Sequence, residues 1–400
     1  MILTRYLIYY GSLIDKERKE YKLKFLSKLN EILKLNWNVV KRIINPNNST
    51  PIILKDDNNN YLNNDELSIY TKTFFQNKFN DRNFEFEINN INNINFDDDI
   101  IINCIKCQGK HKSPDINKIT AEMYQKVDEE SLKFIVRNIK FLLIENPYDY
   151  WKKSEIVLIA KNRNPSTLSE YRPITICKII YKIIMSIWKD WFIENGYISS
   201  SYQFGFSRNK CTTDCIFILK RCVEEANKLN KPLYIASVDI QAAYDNVKWC
   251  KLFDILSLKF GTEISSNILK WYNGTTCVRI NGKLSEEFLP RKGVKQGCPL
   301  APILFNMVLD PILNFIGDLP GYNLYNKVNI SAIAYADDIM LYDCNLQHLE
   351  FKLNILKNYL IDIGLNLSPN KTFITSNEYI NNSNYKFIRG YEYFKYLGVF

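Results

Sequence analysis

Two apolar stretches, each delivering aspartate to one end, constrain this chain more than any other feature. "LYIASVDI" (233–240) runs into Asp239, and "SAIAYADDIMLYD" (331–343) sets Asp337 and Asp338 side by side between apolar neighbours. Short apolar runs of this kind read as buried strands, the second as a tight hairpin with the acids at its tip. Carboxylates are rarely buried without a partner, and adjacent like charges repel. The two stretches lie far apart in the chain, so only tertiary structure can bring them to one sheet. If it does, the acids share a small volume, and protonation or a divalent cation must relieve the repulsion. Oxygen donors with no His or Cys beside them predict a hard ion, Mg²⁺ rather than zinc. Two such ions activate an attacking oxygen and stabilise a leaving one.

The surrounding pattern supplies a frame for those strands. Residues 15–45 are basic and amphipathic, with Tyr21, Phe25, Leu29, Ile32 and Trp37 at helical spacing. Asparagine tracts at 56–65 and 88–99 read as loop and linker, because Asn favours turns. A helix is predicted over 67–80 and another from Asp115 to Glu145, followed by a strand in "SEIVLIAK" (154–161). Further helices are predicted in "KIIYKIIMSIWKDWFIENG", "TTDCIFILKRCVEEANKLN", "YDNVKWCKLFDILSLKFG", "LAPILFNMVLDPILNFIG" and "LEFKLNILKNYLIDIGLNL". Gly196, Gly261 and Gly364 are their stop signals. "TTCVRINGKLSEEFL" is a hairpin turning at Asn281-Gly282. The expected organisation is an N-terminal extension and linker over 1–100 and one domain over 101–400, divided near residue 232.

Composition excludes several classes. With 46% hydrophobic and 14% aromatic residues the chain has enough apolar material for a core. No uncharged apolar run is long enough to span a membrane, and the N-terminal stretch lacks a signal-peptide cleavage pattern. Ten cysteines without regular spacing suit thiols in a reducing compartment. The net charge of +9 suits a polyanionic partner.

Eight segments, in order, resemble the motifs of reverse transcriptases of non-LTR (LINE-type) retrotransposons. They are "KSPDINKITAEMY", "IVLIAKNRNPSTLSEYRPITI", "YQFGFSRNKCTTDCIF", "ASVDIQAAYDNV", "GVKQGCPLAPILFNMVL", "AYADDIML", "GLNLSPNKTFIT" and "YFKYLGVF". The resemblance covers roughly residues 100–400. It implies an α/β (α+β) right-hand polymerase, with fingers over about 101–232 and palm over about 233–400. The palm would be an antiparallel sheet backed by helices. It implies an RNA-directed DNA polymerase that adds dNTPs to a DNA primer on an RNA template, with two Mg²⁺ ions (or Mn²⁺) and no membrane partner.

Roles follow by resemblance. Asp239, Asp337 and Asp338 would hold the metal, with the Ile240 carbonyl as an extra oxygen. Tyr244 resembles the steric gate that rejects a 2′-hydroxyl. Gln296 and Gly297 would position the incoming dNTP, and Lys161 and Arg172 would hold its triphosphate. Lys371 resembles a general acid for pyrophosphate. Phe204, Gly205 and Arg208 would contact template, and Tyr396, Leu397 and Gly398 the primer. The family primes on chromosomal DNA, which implies an intracellular, nuclear site of action.

Departures from the family pattern are few. "SPDINKI" near Lys112 lacks the usual glycines, "AYD" replaces Ala-Phe-Asp, and Ala301 stands where Ser is common. The chain stops at Phe400 inside the primer-grip motif, without a thumb, an endonuclease or a zinc knuckle, so it is expected to be a fragment. Cys104, Cys107 and His111 have zinc-like spacing without a fourth ligand in reach, and zinc is not expected. The alternative function is a decayed or domesticated palm that binds RNA without catalysis, but the intact acids, Tyr244 and Gln296 argue against it. A viral RNA polymerase would place Gly where Ala336 stands.

Overall fold

The computed structural model describes residues 52–55, 61–81, 94, 96–145, 147–378, 385–390, 396 and 397. The predicted amphipathic helix over 15–45 lies outside them. Strands in chain order are β1 (Ser154–Ala160), β2 (Tyr171–Cys177), β3 (Tyr234–Val238), β4 (Thr276–Ile280), β5 (Lys283–Leu284), β6 (Tyr322–Leu324), β7 (Val328–Ile330), β8 (Ala332–Tyr335), β9 (Asp338–Asp343), β10 (Phe373–Ser376) and β11 (Lys386–Arg389). The chain divides into two units. The first draws on 1–77, 88–187 and 267–290, the second on 78–87, 188–266 and 291–400. Residues 188–232, grouped with the fingers on sequence, thus cluster with the second unit. Residues 267–290, grouped with the palm, cluster with the first.

The first unit holds a four-stranded sheet in the order β2-β1-β4-β5. β1 pairs antiparallel with β2 and parallel with β4. β4 and β5 are joined through Asn281 and Gly282, at φ 47° and 83°, as a two-residue hairpin with both central residues left-handed requires. Helix Asn64–Lys78 matches the predicted segment over 67–80. The unbroken helix expected from Asp115 to Glu145 is replaced by two, Ala121–Gln125 and Glu129–Ile144. Aspartate side chains cause both departures. Asp115 accepts from the backbone N–H of Asn117 and Ile119, which holds 115–119 in a turn. Asp128 accepts from Ser131 N at 2.8 Å and caps the second helix.

The second unit is built on a five-stranded sheet, β11-β10-β3-β9-β8. Every pair is antiparallel except β10–β11. Helix Thr212–Leu229 turns Cys215, Leu219, Cys222 and Ala226 toward a core that includes Ile235, Ile333, Met340 and Tyr342. Those helix residues follow the spacing of one helical face. The alternate strand residues Ala236, Val238, Ala334, Ile339 and Leu341 are buried too, and helices Ala301–Asp318 and Leu346–Asp362 pack on these strands. Burial on both faces explains why β3 and β9 read as continuous apolar runs. At the end of β9 away from the paired acids, Asp343 forms a buried ion pair with Lys352 at 2.7 Å.

Helix ends follow the glycines, with Gly196, Gly261 and Gly364 at φ 88°, 92° and 89°. "YDNVKWCKLFDILSLKFG" is split into Ala243–Asn246 and Trp249–Phe260. At the break, Val247 O accepts from Gly293 N and Lys248 N donates to Ile363 O, so neighbouring segments take the backbone groups a helix would use. Helix Thr262–Tyr272 has no counterpart among the predicted elements. Among the described residues no helix is long and apolar enough to cross a membrane.

Candidate active site

β3 ends at Val238, whose partner on β9 is Ile339. Continuing that antiparallel register by one residue sets Asp239 across from Asp338, on strands spaced about 4.8 Å apart. β8 and β9 close through Tyr335 paired with Asp338, which leaves Ala336 and Asp337 as the turn. Asp337 therefore stands at the tip, and Asp338 is the first residue of β9. Ala336 sits at φ 56°, a left-handed conformation that costs an L-residue roughly 1–2 kcal/mol. Ala242, three residues past Asp239, is left-handed as well at φ 44°. Strain of this kind gathers at functional sites.

The three acids feel one another. Burial pushes the Asp338 carboxyl up to about 6, the negative charges of Asp337 and Asp239 add to the rise, and the Lys371 ammonium opposes it. Lys371 Nζ also donates to Asp239 Oδ1 at 3.3 Å. The Ile240–Leu367 bridge is made by Ser368 N to Asp239 O and Gln241 N to Asn366 O. Those bonds do not use the Ile240 carbonyl.

Among the described residues no three His, Cys, Asp or Glu side chains converge tightly enough to clasp a metal ion. In this conformation the acidic trio is coupled through its charges, with Lys371 supplying the nearby positive charge. Its donor set, carboxylate oxygens with no imidazole or thiolate, fits a hard divalent cation. Cys104 is buried in helix Asp98–Lys106, whereas Cys107 and His111 are exposed.

Tyr244 lies beside the acids. Its half-buried ring stacks on Phe305 with centroids 4.8 Å apart and planes 19° from parallel. Burial and the Asp337 charge push its phenol upward, so it stays protonated at neutral pH. Val294 N donates to Tyr244 O at 2.7 Å, which draws the 293–297 turn against this segment. Gly293 is required there, because a Cβ would meet Asp245 O at 2.7 Å. Gln296 Nε2 donates to Asp245 Oδ1 at 3.2 Å, and the other Asp245 oxygen accepts from Lys78 Nζ at 2.7 Å. Gly297 is exposed at φ 125°.

The remaining expected site residues are placed as follows. Lys161 and Arg172 belong to the first unit and are both exposed. Lys161 Nζ donates to Ser169 O at 2.7 Å, and Arg172 lies on β2 opposite Ile159. Arg208 is exposed, whereas Phe204 packs on the second unit's core. Gly205 is buried against the acid hairpin, where a Cβ would lie 2.3 Å from Ala336 N. Tyr396 is buried in the same core, with Leu397 packed against it. Gly398 lies outside the described residues. Sequence reading missed Phe305, Asp245 and Lys78. Phe305 looks like any apolar helix residue, and the Lys78–Asp245 pair joins positions far apart in the chain.

Residues 159–400 match the reverse transcriptase (RNA-dependent DNA polymerase) family. The chain is 27% identical over 219 residues to the retrovirus-related Pol polyprotein of type-2 retrotransposable element R2DM from Drosophila melanogaster. It is 28% identical over 220 residues to that of type-1 retrotransposable element R2 from Nasonia vitripennis. Those matches take in 54% of this chain but only 20% and 21% of the two relatives, so the chain spans about a fifth of their length. Among solved structures, an apo telomerase from Candida tropicalis, truncated from its C-terminal domain, aligns at a TM-score of 0.41 and 14% identity. That alignment covers 58% of this chain and 52% of the telomerase.

Proposed function

The chain belongs to the reverse transcriptase family, within its non-LTR retrotransposon branch, and from that premise we propose that it extends a DNA primer with dNTPs on an RNA template. The observation that supports this reading is the register that sets Asp239 beside the Asp337-Asp338 turn. Asp239, Asp337, Asp338 and the Ile240 carbonyl would hold two Mg²⁺ ions, or Mn²⁺, which would supply Lewis-acid activation of the primer 3′-hydroxyl and charge stabilisation for the leaving pyrophosphate.

The chain's own residues do the rest by placement. Tyr244, kept flat by Phe305, closes the space beneath the sugar of the incoming nucleotide and rejects a 2′-hydroxyl. Gln296 presents an amide whose orientation Asp245 fixes, and Gly297 lets the backbone approach the nucleotide. Lys161 and Arg172 hold the triphosphate, Arg through its fork and Lys as a point charge. Lys371 carries a proton at Nζ next to Asp239 and can deliver it to the leaving group. Arg208, with the Phe204–Gly205 backbone, borders the template. Tyr396, Leu397 and Gly398 support the primer strand. Phosphate contacts dominate such binding, so affinity for primer–template falls steeply with salt. Priming on chromosomal DNA would place this work in the nucleus.

Primer extension on an RNA template with wild type and Asp337→Ala tests the reading. Extension is lost in the variant while RNA binding survives. Full extension by Asp337→Ala removes the acidic corner from the mechanism. RNA binding without extension by wild type would make the chain a non-catalytic scaffold.

A further inference from the structure

Gln203 is a polar side chain fully buried in the second unit, with 0% exposure. Its side-chain amide bonds Ala336 and its own segment at Gly205. Oε1 accepts from Ala336 N at 2.8 Å and from Gly205 N at 2.8 Å, and Nε2 donates to Ala336 O at 3.2 Å. Both backbone groups of Ala336, the left-handed residue just before Asp337, are thus held by a single side chain. A glutamine amide offers an acceptor and a donor together, without a charge.

The segment that carries Gln203 is itself anchored. Asp310, buried in helix Ala301–Asp318, accepts from Tyr197 Oη at 2.9 Å, Ser199 Oγ at 3.2 Å and Ser200 N at 2.9 Å. Asn306, one helical turn earlier, donates from Nδ2 to Gly205 O at 2.9 Å. On its other side the segment runs along β8, with Ala334 N donating to Tyr202 O and Phe204 N to Ala334 O. Residues 197–205 therefore form a strap. One edge is fixed to a buried helix and the other to the acid hairpin, and Gln203 reaches from it to the tip.

We propose that Gln203 is a positioning residue that holds Ala336 in its left-handed turn and thereby aims the Asp337 carboxylate. The inference rests on the polymerase reading for Asp337. It adds that the strap, rather than the hairpin alone, fixes the acid's direction. Without the amide, Ala336 relaxes toward ordinary φ, the turn opens, and Asp337 swings while the β3–β9 register stays. A group displaced in this way costs turnover more than it costs binding.

The test compares Gln203→Met and Gln203→Glu in the 400-residue chain, each with and without Ala336→Gly. Met keeps the volume and loses all three hydrogen bonds, whereas a Glu buried near other carboxylates is held neutral and keeps an acceptor and one O–H donor. In Gln203→Met, kcat for primer extension falls about 10- to 100-fold, with KM for dNTP and RNA affinity near wild type and Tm lowered by the loss of three buried hydrogen bonds. Gln203→Glu falls less. Glycine adopts positive φ freely, so Ala336→Gly restores most of the lost turnover in the Met variant.

Amide hydrogen exchange gives a readout independent of activity. Exchange rises in the peptide spanning Ala336 in Gln203→Met and stays as in wild type across helix Thr212–Leu229. Unchanged exchange at Ala336, unchanged kcat in both variants, or a loss that tracks Tm and is not rescued by Ala336→Gly overturns the proposal. If Asp337→Ala is inactive while Gln203→Met is fully active, the positioning role alone fails. If Asp337→Ala is active, the polymerase reading fails first.

Discussion

The first unit carries its candidate ligand-binding charges, Lys161 just past β1 and Arg172 on β2, where water reaches both side chains. The sheet of the second unit carries Asp239, Asp337 and Asp338 half-buried, at positions set by strand register and by a strained turn. An exposed cation on a long stem can follow a mobile anion through its rotamers, at little cost to the fold. A half-buried carboxylate beside two others has no such freedom, and its direction is inherited from the backbone. Around the acids, fixed parts accordingly accumulate, among them the Phe305 stack under Tyr244, the Asp245 bond to Gln296 and the Gln203 amide on Ala336. Under the proposed roles, changes to Lys161 and Arg172 are expected to alter nucleotide affinity, and changes around the acids to alter turnover.

Substitutions can break that division. Asp239→Asn keeps the shape and removes the charge, so extension falls on the order of a thousandfold. Steady-state kinetics should assign the loss to kcat, with the circular dichroism spectrum and RNA affinity retained. A comparable loss of RNA binding would erase the distinction between the units. Arg172→Ala removes a charge-assisted contact worth roughly 1.5–3 kcal/mol, so KM for dNTP rises on the order of tenfold or more while kcat changes little. A fall in kcat as deep as that of Asp239→Asn would give Arg172 a share in the chemistry. Tyr244→Ala alters the rate with dNTP least of the three. Competition between nucleotides should show ribonucleotide use rising on the order of tenfold relative to dNTP. Unchanged sugar selectivity would return Tyr244 to a packing role against Phe305.

Much of this architecture was legible in local sequence. The Asn281-Gly282 turn, the glycine stops at 196, 261 and 364, and the apolar runs of β3 and β9 all act through the conformational preferences of a few adjacent residues. Where those preferences competed, reading failed. Asp115 and Asp128 were absorbed into one long helical pattern because their capping bonds outweigh periodicity only locally. The break at Val247 depends on Gly293 and Ile363, which no window around residue 247 contains. The close approach of Gly205 to Ala336 is likewise invisible locally, since its partner lies in a distant segment.

Sequence alone determined that this chain has apolar strands ending in acid, a tight hairpin around the paired aspartates and the residue types of a reverse transcriptase palm. Tertiary structure alone decided that the Asp239 charge acts on Asp338 at one end of the β3–β9 pair, and that Gln203, more than a hundred and thirty positions before Ala336, grips that residue's backbone. The reason is range. Torsional preference and hydrophobic period act over a few residues and are written where they act. Charge coupling and hydrogen bonds between distant segments exist only once strand register has set their partners a few ångströms apart.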